Sequence, residues 1–212
     1  MSRLGNKPTI GILALQGAVR EHQRAIERCG ALAVPVKRPD ELSDIDGLII
    51  PGGESTTIGK LIAACDMIEP IQRLAAEGMA VFGTCAGLIL LAKRTVEKSE
   101  YLLGLMDMTV RRNAFGRQVD SFESDIEVTG FSGKPVHAVF IRAPWIESTG
   151  PGVKVLAEEN GRPVLVEEGR LLACAFHPEL TDDLRLHRYF LEKVIKRGGA
   201  HVRPFKMVND KA

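Results

Sequence analysis

A cysteine between two glycines is the first feature of this sequence that could do chemistry. Cys85 lies in the segment Gly83–Gly87, directly after the apolar run Met79–Phe82. A nucleophile at a strand–helix junction sits on a tight turn, where flanking glycines avoid a clash between the two elements. The free N–H groups at the start of the helix favour the reactive thiolate. The spacing therefore predicts a nucleophile at Cys85, with a buried structural cysteine as the alternative.

A histidine and a glutamate follow a second apolar run. His177 comes directly after Leu171–Phe176, and Glu179 stands two residues further on. Ligands of open α/β sheets gather at the carboxyl ends of strands, so His177 is expected on the same edge as Cys85. His177 could then act as the base for the thiol, with Glu179 as the acceptor that fixes its tautomer. An ordinary turn at a strand end is the alternative.

A glycine-rich loop follows a third apolar run. Pro51–Thr57 reads PGGESTT and comes directly after Gly47–Ile50. Its two glycines let backbone N–H groups turn toward a neighbouring site, so those of Gly53 and Ala86 could stabilise an oxyanion. A phosphate-binding loop is one alternative, although the GxxxxGK[ST] pattern is absent from the sequence. A plain loop before a helix is the other.

Composition narrows the class of protein. The 212 residues are 45% hydrophobic and 26% charged, with a formal net charge of +1, which predicts one domain and argues against binding nucleic acid by bulk charge. No apolar run is long enough to span a membrane. The four cysteines form no CxxC pair, so neither a zinc site nor a disulfide framework is predicted. A reducing, cytoplasmic location fits best.

The elements that must position these residues are predicted from apolar patterning. The first hundred residues alternate strand and helix, which predicts a mostly parallel, twisted sheet with helices on both faces. The second half is β-rich, with antiparallel hairpins turning at Asn160-Gly161 and Glu168-Gly169. His22 and His187 fall on the apolar faces of predicted helices, a position typical of core histidines.

The predicted boundaries are as follows. Strands are predicted at Thr9–Leu15, Ala31–Val36, Gly47–Ile50, Met79–Phe82, within Met108–Val128, at Val136–Ile141 and within Val153–Phe176. Helices are predicted at Ala18–Cys29, from Ser55 or Thr56 to Cys65, at Pro70–Ala76, Ala86–Lys93 and Leu184–Ile195. Residues 200–212 form a polar tail after a core of about residues 9–196.

The motifs together resemble a known family. PGGEST, GTCAGL and FHPE, in this order and spacing, are similar to the class I, triad-type glutamine amidotransferases, whose fold is flavodoxin-like. LALQGAVREH (13–22), RRNAFGRQVDSFE (111–123), FIRAP (140–144) and FHPEL (176–180) resemble the glutaminase subunit of pyridoxal 5′-phosphate synthase. The resemblance covers roughly residues 9–196.

The resemblance implies roles for particular residues. It implies a catalytic triad of Cys85, His177 and Glu179. It also implies glutamine contacts, which fall on Gly53, Glu54, Ser55, Arg112, Ile141 and Arg142. Arg112 suits the α-carboxylate of glutamine through a charge-assisted hydrogen bond, and Glu54 suits the α-ammonium.

The implied activity is the hydrolysis of glutamine to glutamate and ammonia, without a metal or a cofactor. By the same resemblance, the ammonia goes to a separate synthase subunit that builds pyridoxal 5′-phosphate, within a hetero-oligomeric complex. Three alternatives remain: a glutaminase subunit of another pathway such as histidine biosynthesis, a cysteine peptidase or chaperone of related fold, and a non-catalytic regulatory subunit. The RRNAFGRQVDSFE block disfavours the first. A glutamate two residues after the histidine, together with the PGGEST loop, disfavours the second, and the intact triad disfavours the third.

Overall fold

A computed structural model describes residues 7–98, 101–112 and 121–196 of the chain. The polar tail 200–212 and residues 113–120 of the RRNAFGRQVDSFE block lie outside the described residues. Within the described ranges, no helix is long and apolar enough to cross a membrane. The division of the chain into a single domain stays a prediction.

The amino-terminal half alternates strands and helices, as its apolar runs predict. It consists of β1 (Thr9–Leu13), α1 (Val19–Arg28), β2 (Leu32–Val36), a 3₁₀ helix (Pro39–Asp44), β3 (Gly47–Ile50), α2 (Ser55–Ala64), α3 (Ile68–Ala76), β4 (Ala80–Thr84) and α4 (Ala86–Leu91).

The carboxyl-terminal half is mostly β-structure, also as predicted. It consists of β5 (Ala92–Thr95), β6 (Met106–Arg111), β7 (Ser121–Ile126), β8 (Val136–Ile141), β9 (Trp145–Thr149), β10 (Lys154–Glu159), β11 (Arg162–Glu168), β12 (Leu171–Cys174), a second 3₁₀ helix (Pro178–Leu180) and α5 (Arg185–Ile195).

Seven of these strands form the central sheet, in the order β10-β11-β12-β4-β3-β1-β2. The pairs from β12 to β2 are parallel, whereas β10, β11 and β12 pair antiparallel as hairpins. The fold class predicted from the sequence is therefore confirmed. The order β2-β1-β3-β4-β12 matches that of the flavodoxin-like sheet.

The registers bring three strand ends to one edge of the sheet. Cys174 at the end of β12 pairs with Thr84 at the end of β4, and Ile50 at the end of β3 pairs with Gly83. The three segments that follow these strands are those singled out by the sequence: the cysteine elbow, the His-Pro-Glu turn and the PGGEST loop. Neighbouring parallel strands thus place the candidate residues side by side.

The middle strand, β4, shows that helices cover both faces. The ring of Phe82 contacts His187 and Phe190 of α5, whereas a Cβ added to Gly83 would meet Leu91 of α4. Because successive residues of a strand face opposite sides, α5 and α4 must cover opposite faces of the sheet. His22 of α1 also contacts the Phe82 ring, which puts α1 on the side of α5.

One predicted helix ends earlier in the structure, and two strands form that the sequence does not predict. The helix predicted over Ala86–Lys93 stops at Leu91, and Ala92–Thr95 form β5 instead. The carbonyl groups of Leu90 and Leu91 accept hydrogen bonds from Leu103 and Leu105 rather than from a further helical turn. β5 and β9 pair with β6 in a separate three-stranded sheet, and neither strand is predicted from the sequence.

Candidate active site

Cys85 occupies a strained turn between β4 and α4. Its φ is 49° and its ψ is −103°, a conformation that residues with a Cβ rarely adopt. Its backbone N–H donates to the carbonyl of Cys174 at 2.8 Å, which ties the turn to the end of β12. The residue is only 7% exposed. The surrounding contacts thus impose the conformation, as they do at other functional sites that store strain.

The two glycines that flank Cys85 have the steric role expected of them. A Cβ on Gly83 would lie 2.6 Å from the backbone of Gly87, and a Cβ on Gly87 would overlap the carbonyl oxygen of Ile50. The first glycine therefore lets α4 cross β4 closely. The second lets the helix pass over the end of β3.

His177 is held beside the turn by its backbone and by Glu179. Its N–H donates to the carbonyl of Val139 at 2.8 Å, and its Nδ1 lies 2.7 Å from Oε1 of Glu179. Burial works to lower the pKa of His177, but hydrogen bonds with Cys85 and Glu179 outweigh it and raise the pKa above its ordinary value. The imidazole thus stands between a thiol and a carboxylate.

Gly52 marks how closely the loop after β3 approaches this pair. A Cβ on Gly52 would overlap the imidazole ring of His177 and lie 3.3 Å from Cβ of Cys85. Only a glycine leaves room here for the two side chains to meet. The structure therefore brings Cys85, His177 and Glu179 together at the carboxyl edge of the sheet.

The PGGEST loop is fixed by contacts with the segment between β1 and α1. The carbonyl of Gly52 accepts a hydrogen bond from the Ala18 N–H at 3.1 Å, and the Glu54 N–H donates to Oε1 of Gln16 at 2.9 Å. In a trans peptide the N–H of Gly53 points opposite to the Gly52 carbonyl. It therefore points away from Ala18. This contact of Gln16 is not predicted from the sequence.

Glu54 and Arg112 lie together at the start of α2. The Glu54 carboxylate caps the helix, accepting from the Thr56 and Thr57 N–H groups at 3.2 and 2.6 Å. Nη2 of Arg112 lies 3.4 Å from the same carboxylate and 3.0 Å from Oγ1 of Thr56. These two charges pair with each other, so a zwitterionic ligand must exchange this ion pair for its own contacts.

The other predicted residues surround the thiol from two sides. The carbonyl of Ile141, at the end of β8, lies 3.9 Å from Sγ of Cys85. Arg142 follows with a φ of 43°, a second strained position. Ser55 is buried at the first residue of α2, and Ala86 is the first residue of α4. All these residues thus belong to segments that meet at Cys85 or at the start of α2.

Two histidines that the sequence analysis treated only as core residues lie directly behind Glu179. Nε2 of His22 is 3.5 Å from Oε2 of Glu179, and Nδ1 of His22 is 3.1 Å from Nε2 of His187. Burial works to raise the pKa of Glu179, but His22 and His177 together hold it below its ordinary value. Helical spacing alone carries no signal that these rings meet the carboxylate. As for metals, the described residues contain no group of three or more potential ligands that could hold an ion.

Comparisons with known proteins agree with this geometry. Residues 12–196 match the SNO glutamine amidotransferase family. The pyridoxal 5′-phosphate synthase subunit PdxT of Desulforudis audaxviator is 60% identical over 185 residues, covering 87% of this chain and 98% of the relative. The protein of the same name from Bacillus licheniformis is 57% identical over 188 residues, covering 89% and 95%.

Solved structures agree with these sequence matches. A crystal structure of a glutamine amidotransferase, 51% identical, matches with a TM-score of 0.84 and covers 87% of this chain and 98% of that one. PurLQS from Thermotoga maritima, at 17% identity and a TM-score of 0.64, shares the fold alone. The elbow, the histidine–glutamate pair and these matches lead to one conclusion: the chain belongs to the SNO glutamine amidotransferase family.

Proposed function

We propose that this chain hydrolyses glutamine to glutamate and ammonia and passes the ammonia to the synthase subunit of a pyridoxal 5′-phosphate synthase. One observation carries the chemistry: a strained cysteine meets a histidine whose other side is held by a buried glutamate. Relatives that are 55–60% identical are named as subunits of that synthase, which supports the choice of ammonia acceptor.

The first half of the reaction forms a thioester. The Cys85 thiolate attacks the side-chain carbonyl carbon of glutamine, and the π electrons move onto the oxygen. The N–H groups of Gly53 and Ala86 are the proposed donors to this oxyanion. His177 then gives its proton to the amide nitrogen, the C–N bond breaks, and ammonia leaves.

The second half regenerates the thiol. His177, now neutral, takes a proton from water, and the resulting hydroxide attacks the thioester carbon. The C–S bond breaks, glutamate is released and the Cys85 thiolate remains. Glu179 stays ionised throughout, because its role is to orient His177 and to stabilise the imidazolium.

Substrate recognition is proposed at the start of α2. Arg112 would bind the α-carboxylate of glutamine and Glu54 its α-ammonium, once the ion pair between them is exchanged. Gly53, Ser55, Ile141 and Arg142 would form the rest of the pocket. No step of this reaction calls for a cofactor. The location that goes with the proposal is the cytoplasm, in line with four cysteines that are all unpaired with one another.

A labelled substrate tests both parts of the proposal. The chain is mixed with the synthase subunit, its sugar phosphate substrates and glutamine carrying ¹⁵N in the side-chain amide. We expect glutamate, and pyridoxal 5′-phosphate with ¹⁵N in its ring. The Cys85→Ala variant, which keeps the same backbone, is the control and should release neither.

Each other outcome points to a different function. Glutamate and labelled ammonium without any labelled pyridoxal 5′-phosphate would indicate a glutaminase that serves another acceptor, such as one in histidine biosynthesis. Absence of glutamate with the wild-type chain would indicate a non-catalytic regulatory subunit.

A further inference from the structure

Three fully buried polar side chains stand behind the candidate triad. His22 lies on α1, Thr84 ends β4 and His187 lies on α5, and each is 0% exposed. The proposed reaction uses none of them. Burying polar groups costs free energy unless they are paired, so a cluster of three at this position calls for a role.

The cluster reaches the oxygen of Glu179 that His177 leaves free. Oε1 of Glu179 accepts from His177, whereas Oε2 is buried and has no hydrogen-bond partner among the described residues. Nε2 of His22 lies 3.5 Å from Oε2 and 3.1 Å from Oγ1 of Thr84. An N–H at this nitrogen therefore donates to Oγ1 of Thr84 and lies within ion-pair distance, but not hydrogen-bond geometry, of Oε2.

The contact between the two histidines decides which nitrogen carries the proton. Nδ1 of His22 lies 3.1 Å from Nε2 of His187, so one of them donates to the other. If His22 donated, its Nε2 would aim a lone pair at the Glu179 carboxylate. In that arrangement Nδ1 of His187, which has no partner in the described chain, would be a buried N–H without an acceptor.

The opposite arrangement removes both conflicts. His187 donates from Nε2 to Nδ1 of His22, and Nε2–H of His22 then faces Oε2 of Glu179. Nδ1 of His187 is left with a lone pair only, which is less costly to bury than an orphaned N–H. Burial lowers the pKa of both rings, that of His187 to about 3, so each acts through an N–H dipole rather than a full charge.

We infer that His22, held in its Nε2–H tautomer by His187, is a positioning residue that fixes the Glu179 carboxylate through its second oxygen. This inference rests on the proposed glutaminase function. The carboxylate is then held from both sides: His177 donates to Oε1 and His22 faces Oε2. Without His22, the carboxylate can rotate or take up a proton, and His177 loses the acceptor that sets its own tautomer.

The other groups facing Glu179 do not supply this contact. The thiol of Cys174 is buried nearby but has no N–H that could take the place of His22. Cys85 lies on the far side of His177. His187 acts only through His22. The acid limb of kcat/KM should therefore report on Glu179 and on how well His22 stabilises its ionised form.

Two substitutions at position 22 separate positioning from packing. His22→Leu removes the N–H at similar volume, whereas His22→Gln keeps an amide N–H at the corresponding reach. With the synthase subunit present, we expect His22→Leu to lower kcat by about ten- to a hundredfold, the range seen when an outer hydrogen bond to a metal-ligating histidine is lost. KM should change little, the acid limb should move to higher pH, and His22→Gln should recover most of the loss.

Ile26→Ala is the matched control on the same helix. Ile26 is as buried as His22 but carries no polar group. This variant should lower the melting temperature while leaving kcat and the acid limb unchanged. A purely structural role for His22 would instead give the two variants the same profile.

A measurement on the unaltered protein keeps the inference testable if a variant fails to fold. Histidine ¹⁵N spectra distinguish the two neutral tautomers and the imidazolium. We expect His22 and His187 both to carry the proton on Nε2 at neutral pH.

Three outcomes distinguish a failure of the His22 inference from a failure of the proposed glutaminase function. An Nδ1–H or charged His22 would overturn the inference, as would wild-type kcat and pH profile in His22→Leu. If the wild-type chain with its synthase forms no glutamate, the proposed function fails instead, whatever the tautomer of His22.

Discussion

Two histidines of this molecule contact carboxylates at nearly the same distances but in different settings. His177, at the edge of the central sheet, is buried and lies 2.7 Å from Glu179 through Nδ1. His137, on the β7–β8 hairpin, is exposed and contacts Asp125 through Nδ1 at 2.8 Å and Glu123 through Nε2 at 2.9 Å. A histidine next to an acid is thus not by itself a sign of catalysis.

The difference lies in what the second ring nitrogen can do. Both nitrogens of His137 face carboxylates, so the ring has no position left for a thiol or a substrate. Only one nitrogen of His177 is taken by Glu179, and the ring also interacts with Cys85. Burial then keeps water from competing, which makes the His177 contacts stronger than those at the surface.

The largest expected effect comes from replacing each histidine by asparagine. His177→Asn removes the group that moves protons, so we expect kcat for glutamine hydrolysis to fall by a factor on the order of 10⁶. His137→Asn should leave turnover within about twofold, as expected for a surface group away from the reacting atoms. Glutamate release in the presence of the synthase subunit measures both, and similar losses in the two variants would contradict the comparison.

A smaller loss is expected when the acid partner is changed. Glu179→Gln keeps the shape of the side chain but removes the charge that stabilises the imidazolium, so its loss of kcat should be about ten- to a hundredfold smaller than that of His177→Asn. Asp125→Asn, beside His137, is the matched control and should have no effect on kcat. An equal or larger loss in Glu179→Gln would count against the assigned roles.

The backbone beside Cys85 and the backbone before the His137 strand should also differ in tolerance. Gly87→Ala places a Cβ against the Ile50 carbonyl, and we expect a loss of about 3 kcal/mol or more in the free energy of unfolding. Gly133→Ala, in the loop before β8, meets no atom but has a φ of 95°, so only conformational strain of about 1 kcal/mol is expected. Urea unfolding compares the two, and equal losses would show that Gly87 is not tightly packed.

The smallest effect concerns stability against pH. Hydrogen bonds with Asp125 and Glu123 raise the pKa of His137 in the folded chain. The contribution of His137 to the free energy of unfolding is therefore complete below its unfolded pKa of about 6.5, and it is lost as pH rises through the pKa that His137 has in the folded chain. The difference in melting temperature between wild type and His137→Gln should be small, present near pH 5.5 and absent near pH 9. A difference in melting temperature that grows with pH would contradict the predicted direction of the His137 pKa shift.

The five parallel strands of the central sheet were predictable because they are short and mostly apolar. β5 and β9 were not, because their residues lack a regular alternation of buried and exposed positions. They are strands because they pair with β6, a contact between distant parts of the chain. Local sequence carries no information about such pairing.

The candidate site likewise contains residues that the sequence could predict and residues that it could not. Cys85, His177 and Glu179 each follow a strand, so the parallel sheet alone predicts that they meet. His22 and His187 are 165 residues apart and come together only because α1 and α5 cover the same face. The sequence could therefore indicate the thiol, the histidine beside it and the glutamate that holds that histidine, but not the two histidines behind them.

The strand order has a consequence for how the chain becomes active during its synthesis. β12 lies beside β4 in the sheet, and Cys174 of β12 pairs with Thr84 of β4. The ribosome adds Cys174 to the chain 90 residues after Thr84. At ribosomal rates of about 5–20 residues per second, the edge of β4 next to Cys85 waits roughly 5 to 20 s for its neighbour. The nascent chain therefore carries its nucleophile without a base, and the open edge is a surface that chaperones or misfolded partners can reach.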